Sequence, residues 1–333
     1  MKALTFKRYG KSPGIGFADV PRPTPKADEL LVQVHAASVN PIDNMIPTGL
    51  FKAVVKFQLP ATLGSDLAGV VVEVGSRVTR FKVGDAVFAN IFDQGTGSIA
   101  EYAVVPESAA ALKPDHLDFV QAASIPMVGL TSWQALKERL KLQSGQKIFI
   151  PAGSGGIGTF AIQLAKLMGA KVGTTTSTGN VELVRSLGAD EVVDYKKKEF
   201  EAVLRGYDAV LGTVRGDSIE KAIGILKARG KIVSLVGPPD VAFARARRLN
   251  FILTFVFALM SRKVMRLARK RNVDYSFLFA RPDGDQLAQI GKLLEAQRIR
   301  PVIDKVFPFE QGREALAYLA QGRSKGKVVV QMR

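Results

Sequence analysis

The stretch Ile148-Phe-Ile-Pro-Ala-Gly-Ser-Gly-Gly-Ile-Gly158 limits what this chain can fold into more than any other. Gly153, Gly155 and Gly158 satisfy the spacing G-x-G-x-x-G. The match follows a short apolar run at 147–150 and opens a segment, 156–168, whose apolar residues Ile157, Phe160, Ala161, Leu164 and Leu167 recur at three and four. A strand, a glycine turn and a helix in that order form the context in which the spacing carries meaning. Gly153 is expected to permit the tight turn, Gly155 to let a pyrophosphate approach the backbone, and Gly158 to let helix and strand pack closely. Free N–H groups and the positive dipole end of the helix then face the phosphates. Gly153, Ser154, Gly155, Gly156, Ile157 and Gly158 are therefore candidate cofactor-binding residues. The competing reading is a glycine-rich turn without a ligand.

The rhythm continues downstream. Strand-like runs at 171–175, 192–194, 208–211, 231–236 and 275–280 alternate with helical patterns at 181–187, 217–228 and 285–296. Such alternation implies a doubly wound α/β unit with a parallel sheet. In a site selective for NAD(H), an Asp or Glu about 20 residues after the glycines binds the ribose 2′-hydroxyl. Here the second strand runs out into Gly173-Thr-Thr-Thr-Ser-Thr-Gly-Asn180, which holds no acid. A carboxylate there would repel a 2′-phosphate, whereas hydroxyls and amides donate to one. Ser177 and Asn180 are the candidates, and the pattern favours NADP(H).

Composition removes several other chemistries. The 333 residues include no Cys and only two His, His35 and His116. Disulfides, thiolate nucleophiles, Cys-bound zinc and multi-histidine metal sites are excluded. The Met1-Lys-Ala-Leu-Thr-Phe6 start has no apolar signal region, so a cytoplasmic protein is the expectation. Residues 1–123 are rich in Gly, Pro and Val. Short apolar runs at 30–34, 70–74 and 86–88 read as strands, and the Pro-rich stretches 21–25 and 41–60 as extended surface connections. The tail, 301–333, returns to short strands and a helix at 311–320.

Several further motifs stand in order: Ala37-Ser-Val-Asn-Pro-Ile-Asp43, Leu63-Gly-Ser-Asp-Leu-Ala-Gly69, Val74-Gly-Ser-Arg-Val-Thr-Arg-Phe-Lys-Val-Gly-Asp-Ala-Val87, Gly97-Ser-Ile-Ala-Glu-Tyr-Ala103, Gly129-Leu-Thr-Ser-Trp-Gln-Ala135, Leu187-Gly-Ala-Asp-Glu-Val-Val-Asp-Tyr195 and Lys325-Gly-Lys-Val-Val-Val330. With the glycine turn, they resemble the medium-chain dehydrogenase/reductase superfamily, in its zinc-free quinone oxidoreductase and enone reductase branch, over essentially the whole chain. The resemblance implies a split, strand-rich, partly barrel-like (GroES-like) catalytic domain from 1–123 and 298–333. It implies a Rossmann domain over 124–297 and an active site in the cleft. It also implies homodimerisation through the last Rossmann strand, near 275–280.

Carried over residue by residue, the resemblance implies Asn40, Asp43 and Asp66 as catalytic candidates. Asn40 would contact the nicotinamide ribose or a substrate oxygen, against an Asn-Pro turn role. Asp43 would lie in the same floor, against a helix cap, and Asp66 is open to a structural hydrogen-bonding role. Thr131, Val236, Gly237, Leu278 and Phe279 would lie near the nicotinamide, and Tyr195 beside the 2′-phosphate. Lys325 and Lys327 sit where the tail approaches the cofactor, against a solvated basic turn. Asn40 stands where zinc-using relatives have a Cys, and Asp66 in the segment of their His-Glu pair, so no zinc is expected. Three departures stand out: Gly179 replaces a basic residue, Asn44 an aromatic one, and Gly212 an acid. A site without zinc, Cys or a histidine dyad suits hydride transfer to an electrophile activated by its own conjugation. The expected reaction is NADPH-dependent reduction of an enone, enal or quinone. The alternatives are a non-catalytic nucleotide-sensing or RNA-binding protein on the same fold, or a reductase of lipophilic substrates at a membrane surface.

One segment stands outside this scheme. The formal net charge is +17, and between Val241 and Arg271 lie nine Lys or Arg residues and no acid. Within it, 251–260 is apolar except for Thr254, and Arg262, Lys263, Arg266, Arg269 and Lys270 recur at helical spacing. An apolar helix followed by a cationic amphipathic one is expected. Three roles compete: an insertion packed over its own domain or a dimer partner with the charges solvated, a lid over the substrate, and peripheral contact of 241–271 with anionic lipid. Nucleic acid is disfavoured, because no basic–aromatic interleaving or recognised module accompanies the charge.

Overall fold

A computed structural model describes residues 1–55 and 57–332. The chain divides into two compact units, one of Met1–Leu130 with Arg281–Arg333, the other of Thr131–Ala280.

The first unit carries ten of the sixteen strands among the described residues. In chain order the first eight are β1 (Lys2–Phe6), β2 (Gly16–Asp19), β3 (Glu29–Val39), β4 (Ala61–Thr62), β5 (Asp66–Val74), β6 (Ala86–Asn90), β7 (Tyr102–Pro106) and β8 (Ala110–Leu112). The second unit contributes β9 (Lys147–Ile150), β10 (Lys171–Thr176), β11 (Glu191–Asp194), β12 (Tyr207–Gly212), β13 (Leu226–Ser234) and β14 (Asp274–Phe277). The chain then returns to the first unit with β15 (Ile303–Pro308) and β16 (Lys327–Gln331).

In the first unit β1 pairs with β2 and β4, and a larger sheet runs β15-β16-β3-β5-β6-β8, with β7 also on β3. The 11-residue β3 is the hub of that sheet, buried along most of its length. The stretch 41–60 departs from the expected extended connection. Pro41–Met45 is a helical turn and Ile46–Thr48 a tighter one, while Lys56 lies outside the described residues. Pro41 occupies the first helical position, where a missing N–H costs nothing. Asp43 accepts a 2.7 Å hydrogen bond from the Asn40 backbone N–H and so closes the turn.

The helix Gly284–Glu295, read from the sequence as the end of the 124–297 span, packs in the first unit. A Cβ on Gly284 would collide with the Ala110 carbonyl, Ile290 lies against Gly129, and Phe88 against Gly291. Periodicity reports that a helix exists, not which neighbour takes its apolar face.

The second unit is a six-stranded sheet, parallel at every pairing, in the order β11-β10-β9-β12-β13-β14. This is the doubly wound order. The chain runs outward from β9 in both directions, so the crevice for a ligand opens at the C-terminal end of β9. Four of the six strands begin and end within two residues of expectation, but β13 starts at Leu226, and the helix before it is shortened to Ser218–Ile225. Phe149, Tyr207, Ile223 and Ile232 pack together between sheet and helices, with Val264, Ala268 and Tyr275 in the same cluster. The expected pair of helices over 251–270 is one continuous helix, Phe251–Lys270. No Gly or Pro interrupts it, so the change from apolar to charged residues alters its surface and not its backbone.

Phe149 is fully buried against Phe200 and Tyr207, with ring centroids 4.7 and 5.9 Å away. Phe149→Ala removes that contact area and leaves a cavity. It should cost about 3–5 kcal/mol in chemical denaturation.

Candidate active site

Register assembles a polar cluster in the first unit. Ser38 on β3 lies opposite Asp66 on β5, and Asp66 opposite Asn90 on β6. Val39 lies opposite Val328 on β16, and because the pairing is antiparallel this brings Asn40, the residue after Val39, together with Lys327, the residue before Val328. The Asp66 carboxylate, fully buried, accepts from four neutral donors. Oδ1 takes the Asn90 amide at 2.8 Å and the Met127 backbone N–H at 2.8 Å; Oδ2 takes the Ser38 hydroxyl at 3.0 Å and the Asn40 amide at 2.9 Å. Lys327 Nζ stands 3.5 Å from the same Oδ2. It donates to Asn40 Oδ1 and, at 3.3 Å, to the Val39 carbonyl.

Lys327 is 5% exposed, so a solvated basic turn is not its role; Lys325, two residues earlier, is exposed. Burial pulls the Lys327 ammonium below the usual lysine range, opposed by the charges of Asp66 and Asp43. Asp43 is 1% exposed, and its carboxylate accepts from the Ser65 hydroxyl at 2.6 Å and the Asn40 backbone N–H. Burial pushes its pKa up to about 6, although both hydrogen bonds favour the charged form.

Asn40 is the member whose orientation these charges determine. An ammonium can only donate and a carboxylate can only accept. With Lys327 on one side and Asp66 on the other, the amide has one orientation, Oδ1 toward the lysine and Nδ2 toward the aspartate. One Nδ2 hydrogen is committed to Asp66, and an amide nitrogen carries two.

The second unit gathers the other candidates along the C-terminal edge of its parallel sheet. After β9, the turn carries its strain at Ala152, which has φ +53, and not at Gly153 as expected. Gly153 serves close approach instead, because a Cβ there would collide with Thr174 Oγ1. A Cβ on Gly158 would meet the Ala152 carbonyl and, at 2.7 Å, Gly153 Cα. At Gly155, outside its chain neighbours, the only atom among the described residues that a Cβ would approach within 4 Å is the Ala152 carbonyl oxygen, at 3.4 Å. Two glycines are thus filled by the protein, and the third leaves backbone open at the N-terminus of the helix Gly156–Leu167. That space fits a phosphate at backbone N–H groups.

Ser154, Ser177 and Asn180 come together beside this turn. Asn180 Nδ2 donates to Ser154 Oγ at 3.3 Å and Ser177 Oγ at 3.1 Å, and Thr176 Oγ1 donates to Ser154 Oγ at 3.0 Å. Tyr195, half exposed, is tied to the same place by its N–H on the Thr176 carbonyl at 3.1 Å. Around Ser234, at the ends of β13 and β14, sit Val236, Gly237 and Leu278. The Ser234 hydroxyl donates to the Gly237 carbonyl at 2.8 Å and accepts from Val236 N–H at 3.3 Å, and its carbonyl accepts from Leu278 N–H at 2.9 Å. Phe279 packs at tilted angles against Phe243 and Phe277, with the guanidinium of Arg247 over its ring. Thr131 is buried in the helix Pro126–Trp133.

The sequence reading missed two features of this edge. Thr213 Oγ1 donates to the Pro151 carbonyl at 2.7 Å and so pins the strand before the glycine turn. Asp194 accepts from Thr178 at 2.6 Å and from Lys196 N–H at 3.0 Å, with Lys197 Nζ at 3.8 Å. The Thr178 hydroxyl, first among these, holds the Asp194 carboxyl below the usual range. The run Tyr195-Lys-Lys-Lys198 therefore brings cations beside the Ser177 turn although Gly179 supplies none. It was visible as a charge run, but only the hydrogen bond from the Thr178 hydroxyl to Asp194 and that from Tyr195 N–H to the Thr176 carbonyl place it.

Residues 26–115 match the alcohol dehydrogenase GroES-like domain family, and residues 187–330 the zinc-binding dehydrogenase family. The chloroplast envelope quinone oxidoreductase homolog of Arabidopsis thaliana is 34% identical, over 99% of this chain and 98% of that protein. The chain belongs to the medium-chain dehydrogenase/reductase superfamily, in its quinone oxidoreductase and enone reductase branch. The 2-methylene-furan-3-one reductase of Solanum lycopersicum is 36% identical, over 99% of this chain and 79% of that protein. The quinone oxidoreductase structure from Coxiella burnetii superposes with a TM-score of 0.86 at 32% identity, covering 100% of this chain and 99% of the other. Medium-chain dehydrogenases of the zinc-using kind need free donors. In this chain Asn40 and Asp66 already hold a cation, the Lys327 ammonium, and no group of three or more metal-ligating side chains occurs among the described residues.

The raised pKa of Asp43 has a stability consequence. Its folded-state pKa lies above the ordinary carboxylate value of 3.8, so the folded protein binds more protons between about 4 and 6. Stability therefore falls as pH rises through that window and levels off above it. Relative to Asp43→Asn, the wild type should lose roughly 1 kcal/mol between about pH 5 and 7, read from denaturation curves of both proteins.

Proposed function

We propose that the protein is an NADPH-dependent oxidoreductase that transfers a hydride to the activated C=C bond of an enone or enal, or to a quinone. The observation that carries this reading is the Asn40 amide, oriented between Asp66 and Lys327, in a chain that also carries an open glycine turn flanked by Ser154, Ser177 and Asn180. Relatives named NADPH-dependent alkenal/one oxidoreductase and quinone oxidoreductase homolog support it.

In this reading the unit of Thr131–Ala280 holds the cofactor. The pyrophosphate lies against the backbone at Gly155 and the first N–H groups of the following helix. Ser154, Ser177 and Asn180 donate to the 2′-phosphate, with Tyr195 and the lysines after it alongside. Thr131, Val236, Gly237, Leu278, Phe279 and Lys325 are assigned to the nicotinamide half. When bound, the cofactor supplies the hydride. The protein's own task is at the electrophile's oxygen, where the second Asn40 Nδ2 hydrogen stabilises the developing enolate or hydroquinone anion. Asp43 and Asp66 are positioning residues, since both are buried and saturated. Lys327 joins them, and solvent delivers the proton. Pairing of two copies through β14, an edge of the sheet, is the assembly we assign. Family membership fixes no compartment, because similar proteins carry chloroplastic and mitochondrial names.

The test is NADPH and NADH oxidation against a panel of enones, enals and quinones. Turnover with NADPH on at least one class is expected, and NADPH binding with no turnover across the panel would overturn the reading. Asn40→Ala should lower kcat/KM by about 100-fold, the effect of losing one oxyanion donor. Ser177→Asp should raise the KM for NADPH by about tenfold or more and leave NADH little changed, because a carboxylate there faces the extra phosphate.

A further inference from the structure

The helix Phe251–Lys270 carries a surface that its own unit does not cover. Its C-terminal half is fixed. Ser261, Val264 and Ala268 are buried, and the latter two pack into the core with Val273 and Tyr275. Its start is also defined, because Asn250 caps it by accepting from Leu253 N–H at 2.9 Å. On the inner side of the first half, Phe257 stacks on Phe243 with centroids 6.1 Å apart. On the outer side Phe251, Ile252, Phe255, Val256, Leu259 and Met260 are exposed, Phe251 to 82%. They recur at i, i+4 and i+8 in two adjacent rows, so they form one stripe.

Arg262, Lys263, Arg266, Arg269 and Lys270 continue that stripe and are all exposed. Arg262 and Arg266 fall seven residues beyond Phe255 and Leu259, two turns further on the same face. Lys263 pairs with Glu220 at 3.1 Å; among the described residues the other four form no ion pair. A single rigid face about 30 Å long is thus apolar at one end and cationic at the other.

We infer that this face docks on an anionic lipid bilayer, with the stripe from Phe251 to Met260 entering the headgroup–acyl boundary and the cations from Arg262 to Lys270 on the lipid phosphates. The arrangement matches what an interfacial helix requires, an apolar face for insertion with positive charge for the surface potential. It lies on the surface and does not cross, since no described helix is long and apolar enough to span a membrane. A second copy fits the face less well. Full-length antiparallel pairing sets each apolar half against a cationic half, and parallel pairing sets cations against cations. A nucleic acid would use the cations but leave the phenylalanine and leucine stripe in water.

The experiment is co-sedimentation of the full chain with vesicles of phosphatidylcholine alone and of phosphatidylcholine with phosphatidylglycerol. Two triple variants accompany the wild type, Phe251→Ser/Phe255→Ser/Leu259→Ser and Arg262→Gln/Arg266→Gln/Lys270→Gln. All the substituted side chains are exposed, so circular dichroism and melting should match the wild type. The wild type should pellet with the anionic vesicles and not the neutral ones, and each variant should bind at least about tenfold more weakly. Absence of the wild type from the anionic pellet overturns the inference. So does undiminished binding by the serine variant, which would reduce the contact to surface charge. A serine variant whose mass in solution drops by light scattering while its vesicle binding is unchanged would assign the stripe to a second copy. Salt-sensitive binding of the wild type to single-stranded RNA without vesicle binding would assign the cations to nucleic acid.

Discussion

The carboxylate of Asp66 is the charge around which the first unit is arranged. A carboxylate removed from water costs several kcal/mol unless donors and an opposite charge meet it. Here the donors come from β3, the turn after it, β6 and the Met127 backbone, and the opposite charge from the start of β16. None of these partners is local, since Lys327 lies 261 residues from Asp66 and 287 from Asn40. The returning tail is therefore required twice. Its valines complete the sheet against β3, and its lysine neutralises the interior. A register slip of one residue would turn Lys327 to the other face and leave Asp66 without its counter-charge. The polar cluster thus acts as a register lock.

The features legible in the sequence were those written in short-range pattern. The glycine turn, the alternation of strands and helices, and the absence of an acid after β10 are all readable within windows of about 20 residues. What escaped was decided by contacts between distant segments. Pro41–Met45 is helical because Asp43 is buried where it can accept from Asn40 and Ser65, not because its five residues favour helix. The helix Gly284–Glu295 was found, but its partner, the chain around Ala110, could not be read from its own periodicity. Lys327 followed a glycine in a polar stretch, and such a lysine is normally solvated. Only its antiparallel position opposite Asn40 shows why it is inside.

The surface and the interior use positive charge in different ways. In the segment from Val241 to Arg271 nine cations occur without an acid, and most of them are exposed in high dielectric, where they act over a range set by ionic strength. Lys327 is one cation in low dielectric, where screening is weak, and its charge acts on the two buried carboxylates Asp66 and Asp43. The net charge of +17 therefore describes the partner-facing surface and says little about the reacting centre.

At that centre the residue type at position 40 follows from its neighbours. A side chain held between an ammonium and a carboxylate must accept on one end and donate on the other. Aspartate would add a third buried negative charge facing Asp66. Serine offers a single rotating hydroxyl that cannot span both partners and keep a donor in reserve. Leucine has the volume but leaves the lysine and the aspartate each one hydrogen bond short. An amide satisfies both charges and retains one N–H whose direction is fixed by the other contacts. Enone and quinone reduction asks for a donor already aimed at an oxygen that becomes negative, and not for a group that exchanges protons during the step. The buried charges thus act at a distance of one residue: they hold still the neutral group to which we assign the donor role.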